Sequence, residues 1–308
     1  MSGRRYRGRA LDGWLIIDKP PCLTSREAVN RVRCALGAQK AGHGGTLDPL
    51  ATGVLPIAFG SATKTIRHVL AGTKLYRFTV RFGESRDTDD AEGRVIGISP
   101  ERPADSEILA ALPAFRGHIM QVPPLFSALK IGGKRAYDLA RQGRSPGLQA
   151  RPARVDRFEL LDRPYADIAT FEVECGKGVY MRGLARDLAI ACGCLGHIIA
   201  LRRLRVGCFG EGDSIALDKV TGRDNTRPGP PDLLLPVESA LADIPALALT
   251  GTEAIGLSQG QALSLVSLTS RVPDSVDPDG GLVRAMAGGR VFGLCRVEAG
   301  RLRPERIL

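Results

Sequence analysis

The stretch AGHGGTLDPLATGVLPIAF, residues 41–59, decides how the rest of the chain is read. Residues 41–53 hold four glycines and a proline, which makes them a loop, and VLPIAF (54–59) is the apolar strand that leaves it. Upstream, GWLIID (13–18) reads as a buried strand that stops at Lys19-Pro20-Pro21. Thr24 followed by Glu27 makes a capping box, and Ala28, Val32 and Leu36 share one face of the helix that ends at Gly37.

Downstream, SATKTIRHVLAG (61–72) is a helix and LYRFTVRFG (75–83) alternates as a strand. GRVIGI (93–98) is expected to pair with that strand as a hairpin across the turn-rich SRDTDDAEG (85–93). SEILAALPAF (106–115) is a helix, and SALKIGGKRAYDLARQG (127–143) suggests a strand, a Gly-Gly turn and a helix carrying cations. ARVDRFELL (153–161), IATFEVEC (168–175) and HIIALRRLRV (197–206) are strands, with a helix at VYMRGLARDLAIAC (179–192). Strands and helices without regular βαβ alternation indicate an α+β fold with a mixed sheet and flanking helices. GRDNTRPGPPD (222–232) is a loop, and beyond about Asp243 short strands and turns indicate a small β-rich second domain.

A chain of 308 residues suits one large or two unequal domains. No stretch approaches the roughly 20 apolar residues of a membrane helix, so a soluble protein with no membrane partner is expected. Lys plus Arg number 43 against 33 Asp plus Glu, a formal +10 that favours polyanionic partners through counterion release. From Gly176 to Gly210 stand Lys177, Arg182, Arg186, Arg202, Arg203 and Arg205 against the single acid Asp187. The tail from Pro245 carries seven basic and six acidic residues, so it is not expected to form a nucleic-acid surface alone.

Seven cysteines without a CxxC pair do not read as a disulfide framework. Cys192, Cys194 and His197, flanked by Cys175 and Cys208, raise a zinc site, but the Cys-x-Cys spacing and apolar surroundings favour buried structural thiols, and no metal is expected. Residues 1–9 are arginine-rich and lack the apolar core of a secretory signal. They read as a basic arm that touches phosphate or stays disordered, and a reducing cytoplasm fits the whole chain.

Within the glycine loop, Asp48 lies between Leu47 and Pro49, five residues after His43. The GxxxxGK[ST] pattern of a phosphate loop is absent, and a carboxylate there would repel phosphate. Two readings stay open on physical grounds: a glycine-rich turn capped by Asp48, or a backbone shaped to bring one carboxylate against a ligand. DTDDAEG has the look of a calcium loop, but Ala91 stands where an oxygen ligand is needed and the glycine comes one place late.

The segment Gly42–Pro56 resembles the GHxGxLDPxAxGxLP motif of the TruB family of tRNA pseudouridine synthases. GWLIIDKPPCLTS, YRFTVRFGESRDTDDAEG, VPPLFSALKIGGKRAYDLARQG, CGKGVYMRGLARDLA and LRRLRVG resemble further family motifs, together covering most of residues 10–210. The resemblance implies a pseudouridine-synthase-like catalytic domain at 10–243, with a thumb loop at about 122–152, and a PUA-like RNA-binding domain at 244–308. It implies isomerisation of uridine 55 in the T-loop of tRNA, an enzyme without a cofactor, and tRNA bound through its T-arm by a monomer.

Residue by residue, the resemblance makes Asp48 the catalytic carboxylate and Arg182 its partner. An aspartate in a dry pocket protonates unless paired, which gives that partner a physical reason. Tyr76 is implied to stack on the flipped base near C5, Tyr180 and Leu201 to line its pocket, and His43 to take the space the nucleotide leaves. Lys19 and Lys64 read either as phosphate contacts or as plain solvated surface lysines. Lys130, Lys134, Arg135, Arg141 and Arg144 would give the thumb a basic face. Two rival functions stay open: a tRNA-binding or tRNA-folding protein without chemistry, and a retaining glycosidase or nucleosidase, which would need a second acid near Asp48.

Overall fold

Gly13–Lys19 (β1) and Thr52–Phe59 (β3) pair antiparallel along their whole length, with Gly13 opposite Phe59 and Lys19 opposite Gly53. Ala41–His43 (β2) pairs with the far end of β3, so the start of the expected loop is a short strand. The computed structural model describes residues 8–127, 129–131, 134–135, 147–222, 230–273 and 275–308. Leu15, Ile17, Leu55 and Ile57 pack with Ala28, Val32 and Leu36 of the helix Ser25–Leu36 (α1). Trp14, Ile16, Val54 and Ala58 face the other way, against Val69 and Phe209. Burial on both faces is why these strands are apolar runs rather than alternating ones.

The α1 capping box forms as expected: Glu27 N–H donates to Thr24 Oγ1 at 3.2 Å, and Thr24 N–H donates to the Glu27 carboxylate at 2.9 Å. The helix ends at Gly37 in the left-handed region, φ 63°.

A ten-stranded sheet runs in the order Ile215–Ala216, β1, β3, Gly196–Val206, Lys74–Phe82 (β4), Ile168–Cys175, Arg151–Tyr165, Gly117–Gln121. β2 and Phe209–Gly210 pair off this path. The pairings of β3 with Gly196–Val206 and of β1 with Ile215–Ala216 are parallel and the others antiparallel, which is the mixed sheet of an α+β fold. The helix Met181–Ala191 packs on this sheet through Leu184, Ala185 and Leu188.

One pairing differs from expectation. Val95–Ile98 joins Glu84–Arg86 in a separate two-stranded ribbon, because both edges of β4 are already occupied by Gly196–Val206 and Ile168–Cys175. The helix expected at 106–115 is an α-helix over Asp105–Ala111 that tightens around Pro113. Lys130–Ile131 pairs with Lys134–Arg135 as the Gly-Gly turn suggested, whereas the helix expected after it falls on 136–146, outside the described residues, as do the arm at 1–7 and most of the proline-rich loop, 223–229.

A second sheet of five strands, Ala246–Ala248, Leu282–Ala287, Arg290–Glu298, Arg301–Ile307 and Leu263–Ser264, has its own core around Leu247, Leu257, Val283, Cys295 and Leu302. It meets the first through Lys64, whose ammonium donates to Ile307 O at 3.0 Å, and through an Arg67–Glu305 ion pair.

Gly53 opens β3 at φ 98°, and a Cβ there would stand 2.2 Å from the Arg203 carbonyl oxygen on the neighbouring strand. Left-handed strain and a backbone clash together should cost about 3 kcal/mol or more. At roughly 2–4 °C per kcal/mol for a domain of this size, Gly53→Ala is expected to melt ~10 °C lower by calorimetry. A melting point matching the parent's would mean that the close approach is not needed.

Candidate active site

The loop carrying Asp48 is held from three sides. From α1, the Ser25 hydroxyl donates to Leu47 O at 3.0 Å and accepts the Leu47 N–H at 2.7 Å. From the end of β1, the Lys19 ammonium donates to Pro49 O at 3.2 Å, as well as to Pro20 O and Leu23 O at 2.8 and 2.6 Å. From the strand Gly196–Val206, Arg203 donates to Gly45 O at 3.2 Å, Thr46 O at 3.5 Å and Val54 O at 2.8 Å. The Lys-Pro turn and the helix start quoted above thus converge on one short segment.

The Asp48 side chain keeps 35% of its surface exposed, and its Oδ2 lies 2.9 Å from Arg182 Nε. Arg182, at the start of the helix Met181–Ala191, is 6% exposed, yet every arm of its guanidinium is engaged. Nη1 donates to Thr88 O at 2.8 Å and lies 3.4 Å from Asp90 Oδ2, while Nη2 donates to Phe126 O at 3.0 Å. Asp90 is itself buried and accepts the Thr88 hydroxyl at 2.6 Å and the Glu92 N–H at 3.1 Å. One turn later Arg186 pairs with Asp89 at 2.8 Å and donates to Val122 O at 2.8 Å.

The segment that has the look of a calcium loop is therefore the acidic seat of the helix arginines. Its legible signal was the Asp89-Asp90 doublet, matched by Arg182 and Arg186 four residues apart on one helix face.

Tyr76 on β4 sits opposite Arg203 and Val173 in the sheet. Burial pushes its phenol above the ordinary value, whereas the nearby Arg203 guanidinium pulls it down; the Asp48 carboxylate adds a smaller upward push. Tyr180 is the residue before the Met181–Ala191 helix, with its main chain clamped by Gln121, whose amide donates to Tyr180 O and accepts Tyr180 N–H, each at 2.9 Å. Leu201 is a buried wall of a hollow of about 540 Å³ shared with Cys22, Leu50, Thr52, Phe78 and Glu92. His43 on β2 is half-buried, and its Nδ1 is buried without a partner. Burial and the Arg203 charge lower its basicity.

Glu92 is a second carboxylate near Asp48, missed in the sequence. Burial and the Asp90 and Asp48 charges raise its pKa above the usual range.

Of the two lysines, Lys19 departs from expectation. Lys19 is fully buried with three carbonyl partners, so it is not placed to meet phosphate. Burial draws its ammonium down to about 8, against the pull of the Asp48 carboxylate. Lys64 is exposed, as a surface lysine should be, and its ammonium donates to Ile307 O of the second sheet. Lys19→Met is expected to lower the melting temperature yet leave the salt dependence of nucleic-acid binding unchanged. Removal of a phosphate ligand would instead reduce the log–log salt slope by roughly 0.7–0.9, and that reduction would restore the surface reading. The thumb cations Lys130, Lys134, Arg135, Arg141 and Arg144 have side chains outside the described residues.

The fold is shared with solved structures. A chain of a crystallised Cbf5–Nop10–Gar1 complex superposes with a TM-score of 0.70 at 27% identity, covering 93% of this chain and 78% of that one. The profile for the TruB family pseudouridylate synthase (N terminal domain) matches residues 33–181, and the tRNA pseudouridylate synthase B C-terminal domain matches residues 182–242. The tRNA pseudouridine synthase B of Gluconacetobacter diazotrophicus is 65% identical over 99% of this chain and 100% of its own length. That of Gluconobacter oxydans is 54% identical over 99% and 93%. The chain belongs to the TruB family of pseudouridylate synthases.

Proposed function

We propose that this chain isomerises uridine 55 in the T-loop of tRNA to pseudouridine, with Asp48 as the catalytic carboxylate. The observation that carries this is the Asp48–Arg182 pair: a part-exposed carboxylate held at 2.9 Å by an almost wholly buried guanidinium. The reaction breaks the N1–C1′ bond, turns the base and joins C5 to C1′; the C5 proton is lost and N1 regains one, so nothing is oxidised. A fixed carboxylate suits the step in which C1′ becomes electron-poor, either by bonding to carbon or by stabilising its charge.

The uridine must leave the T-loop stack, at a cost of a few kcal/mol. Stacking on Tyr76, with Tyr180 and Leu201 beside it, returns about 1–3 kcal/mol per base. His43, with a free ring nitrogen, takes the space vacated in the RNA. The T-arm is gripped by the thumb at 122–152, and the β-rich domain at 244–308, read as PUA-like, adds a second contact. The enzyme acts as a monomer in the cytoplasm; among the described residues no helix is long and apolar enough to cross a membrane.

Incubation with an unmodified tRNA transcript, followed by adduct mapping of pseudouridine, should give one modified site in the T-loop. A transcript bound but unmodified would favour a binding or folding role, and turnover of free uridine would favour a nucleosidase using Glu92 as its second acid.

A further inference from the structure

Arg203 is 1% exposed, and a guanidinium taken out of water costs several kcal/mol unless its donors are well met. Its neighbours on the strand turn to carboxylates, Arg202 to Asp18 and Glu211, Arg205 to Glu174. Arg203 instead spends its planar fork on main-chain carbonyls at both ends of the Asp48 loop: Gly45 and Thr46 on the way in, Val54 on the way out. In the sheet it is the Cα partner of Gly53 on one side and of Tyr76 on the other. Two loop glycines make room for it. A Cβ on Gly45 would come 3.1 Å from Arg203 Nη1, and one on Gly53 would strike the Arg203 carbonyl.

We propose that Arg203 is a positioning residue: its guanidinium sets the height of the loop that presents Asp48 and, through the same group, the placement of the Tyr76 hydroxyl. This rests on reading Asp48 and Tyr76 as the reacting and stacking groups. A lysine cannot replace it, because a single ammonium has no rigid fork to span carbonyls eight residues apart in sequence at one fixed spacing. The positive charge beside Tyr76 gives the arrangement an independent signature, since it favours the phenolate that burial opposes.

The test uses the full chain with Arg203→Gln, Arg203→Lys and, as a control on the same strand, Arg205→Gln. Three quantities are read: tRNA affinity, single-turnover conversion of an unmodified transcript, and the ultraviolet titration of Tyr76 obtained by subtracting a Tyr76→Phe background. Arg203→Gln should bind tRNA within a few-fold of the parent but convert it about 100-fold more slowly, as a misplacement of about 1 Å would cause. Its Tyr76 should titrate higher than in the parent. Arg203→Lys should keep the titration near the parent's without recovering the rate, and Arg205→Gln should change neither.

Parent-like conversion by Arg203→Gln, or an unmoved tyrosine titration, overturns the proposal. If Arg203→Gln does not fold, Arg203→Lys decides it, parent-like turnover being the refuting result. Should the parent itself fail to make pseudouridine, the proposed function falls, while the tyrosine titration, which needs no RNA, still judges Arg203.

Discussion

Asp48→Asn is expected to abolish pseudouridine formation while leaving tRNA binding within a few-fold of the parent. The substitution keeps size and shape, so the turn closed by the Ala51 N–H on Asp48 O and the anchors at Leu47 and Pro49 should survive. What changes is the pair itself. The amide loses the charge that faces Arg182 Nε and cannot bond to carbon or balance a sugar cation. Loss of a group that bonds to the substrate typically lowers the rate by about 10⁴-fold or more. Quench-flow with labelled transcript and filter binding would separate the two effects. An equal fall in both would make Asp48 a structural turn residue, the plain alternative its sequence context allowed.

Arg182→Met should damage stability and chemistry together. The side chain is buried beside Asp90, so its removal strands a buried carboxylate along with Thr88 O and Phe126 O. Breaking one side of a buried pair costs about 3–5 kcal/mol, which a denaturant midpoint would report. Adding Asp90→Asn removes the stranded charge and should recover much of that stability, because deleting both partners is far cheaper than deleting one. Turnover should not recover, since Asp48 still lacks its anchor. If the double variant were as unstable as the single one, the Asp90 charge would not be what Arg182 compensates. Parent-like turnover in either variant would remove Arg182 from the reaction.

Much of the fold was legible locally. Apolar runs at 13–18 and 54–59, alternation at 168–175 and the Thr24–Glu27 box became the elements expected of them, because short-range periodicity and capping are satisfied within a few residues. The hairpin at 93–98 was misassigned because strand partners are chosen among all strands of the sheet, and those that fill the edges of β4 arrive from more than 80 residues later. Chemistry followed the same division. Asp48 stood out through its glycine and proline setting and Asp90 through its doublet with Asp89, while Glu92 and Arg203 carry no local mark and matter only for what they touch. Lys19, beside prolines, looked like a surface cation and proved to be a buried strut.

By itself the sequence determined most element types, the family and the one carboxylate on which the proposed chemistry turns, since each is written in contiguous residues. The Asp48–Arg182 pair was already implied by the resemblance; only the tertiary structure decided that a second arginine, hydrogen-bonded to the main chain of the Asp48 loop, reaches this centre from a strand more than 130 residues further along the chain. Buried charge is stable only where several acceptors meet, and that meeting is a property of packing rather than of any short stretch of chain.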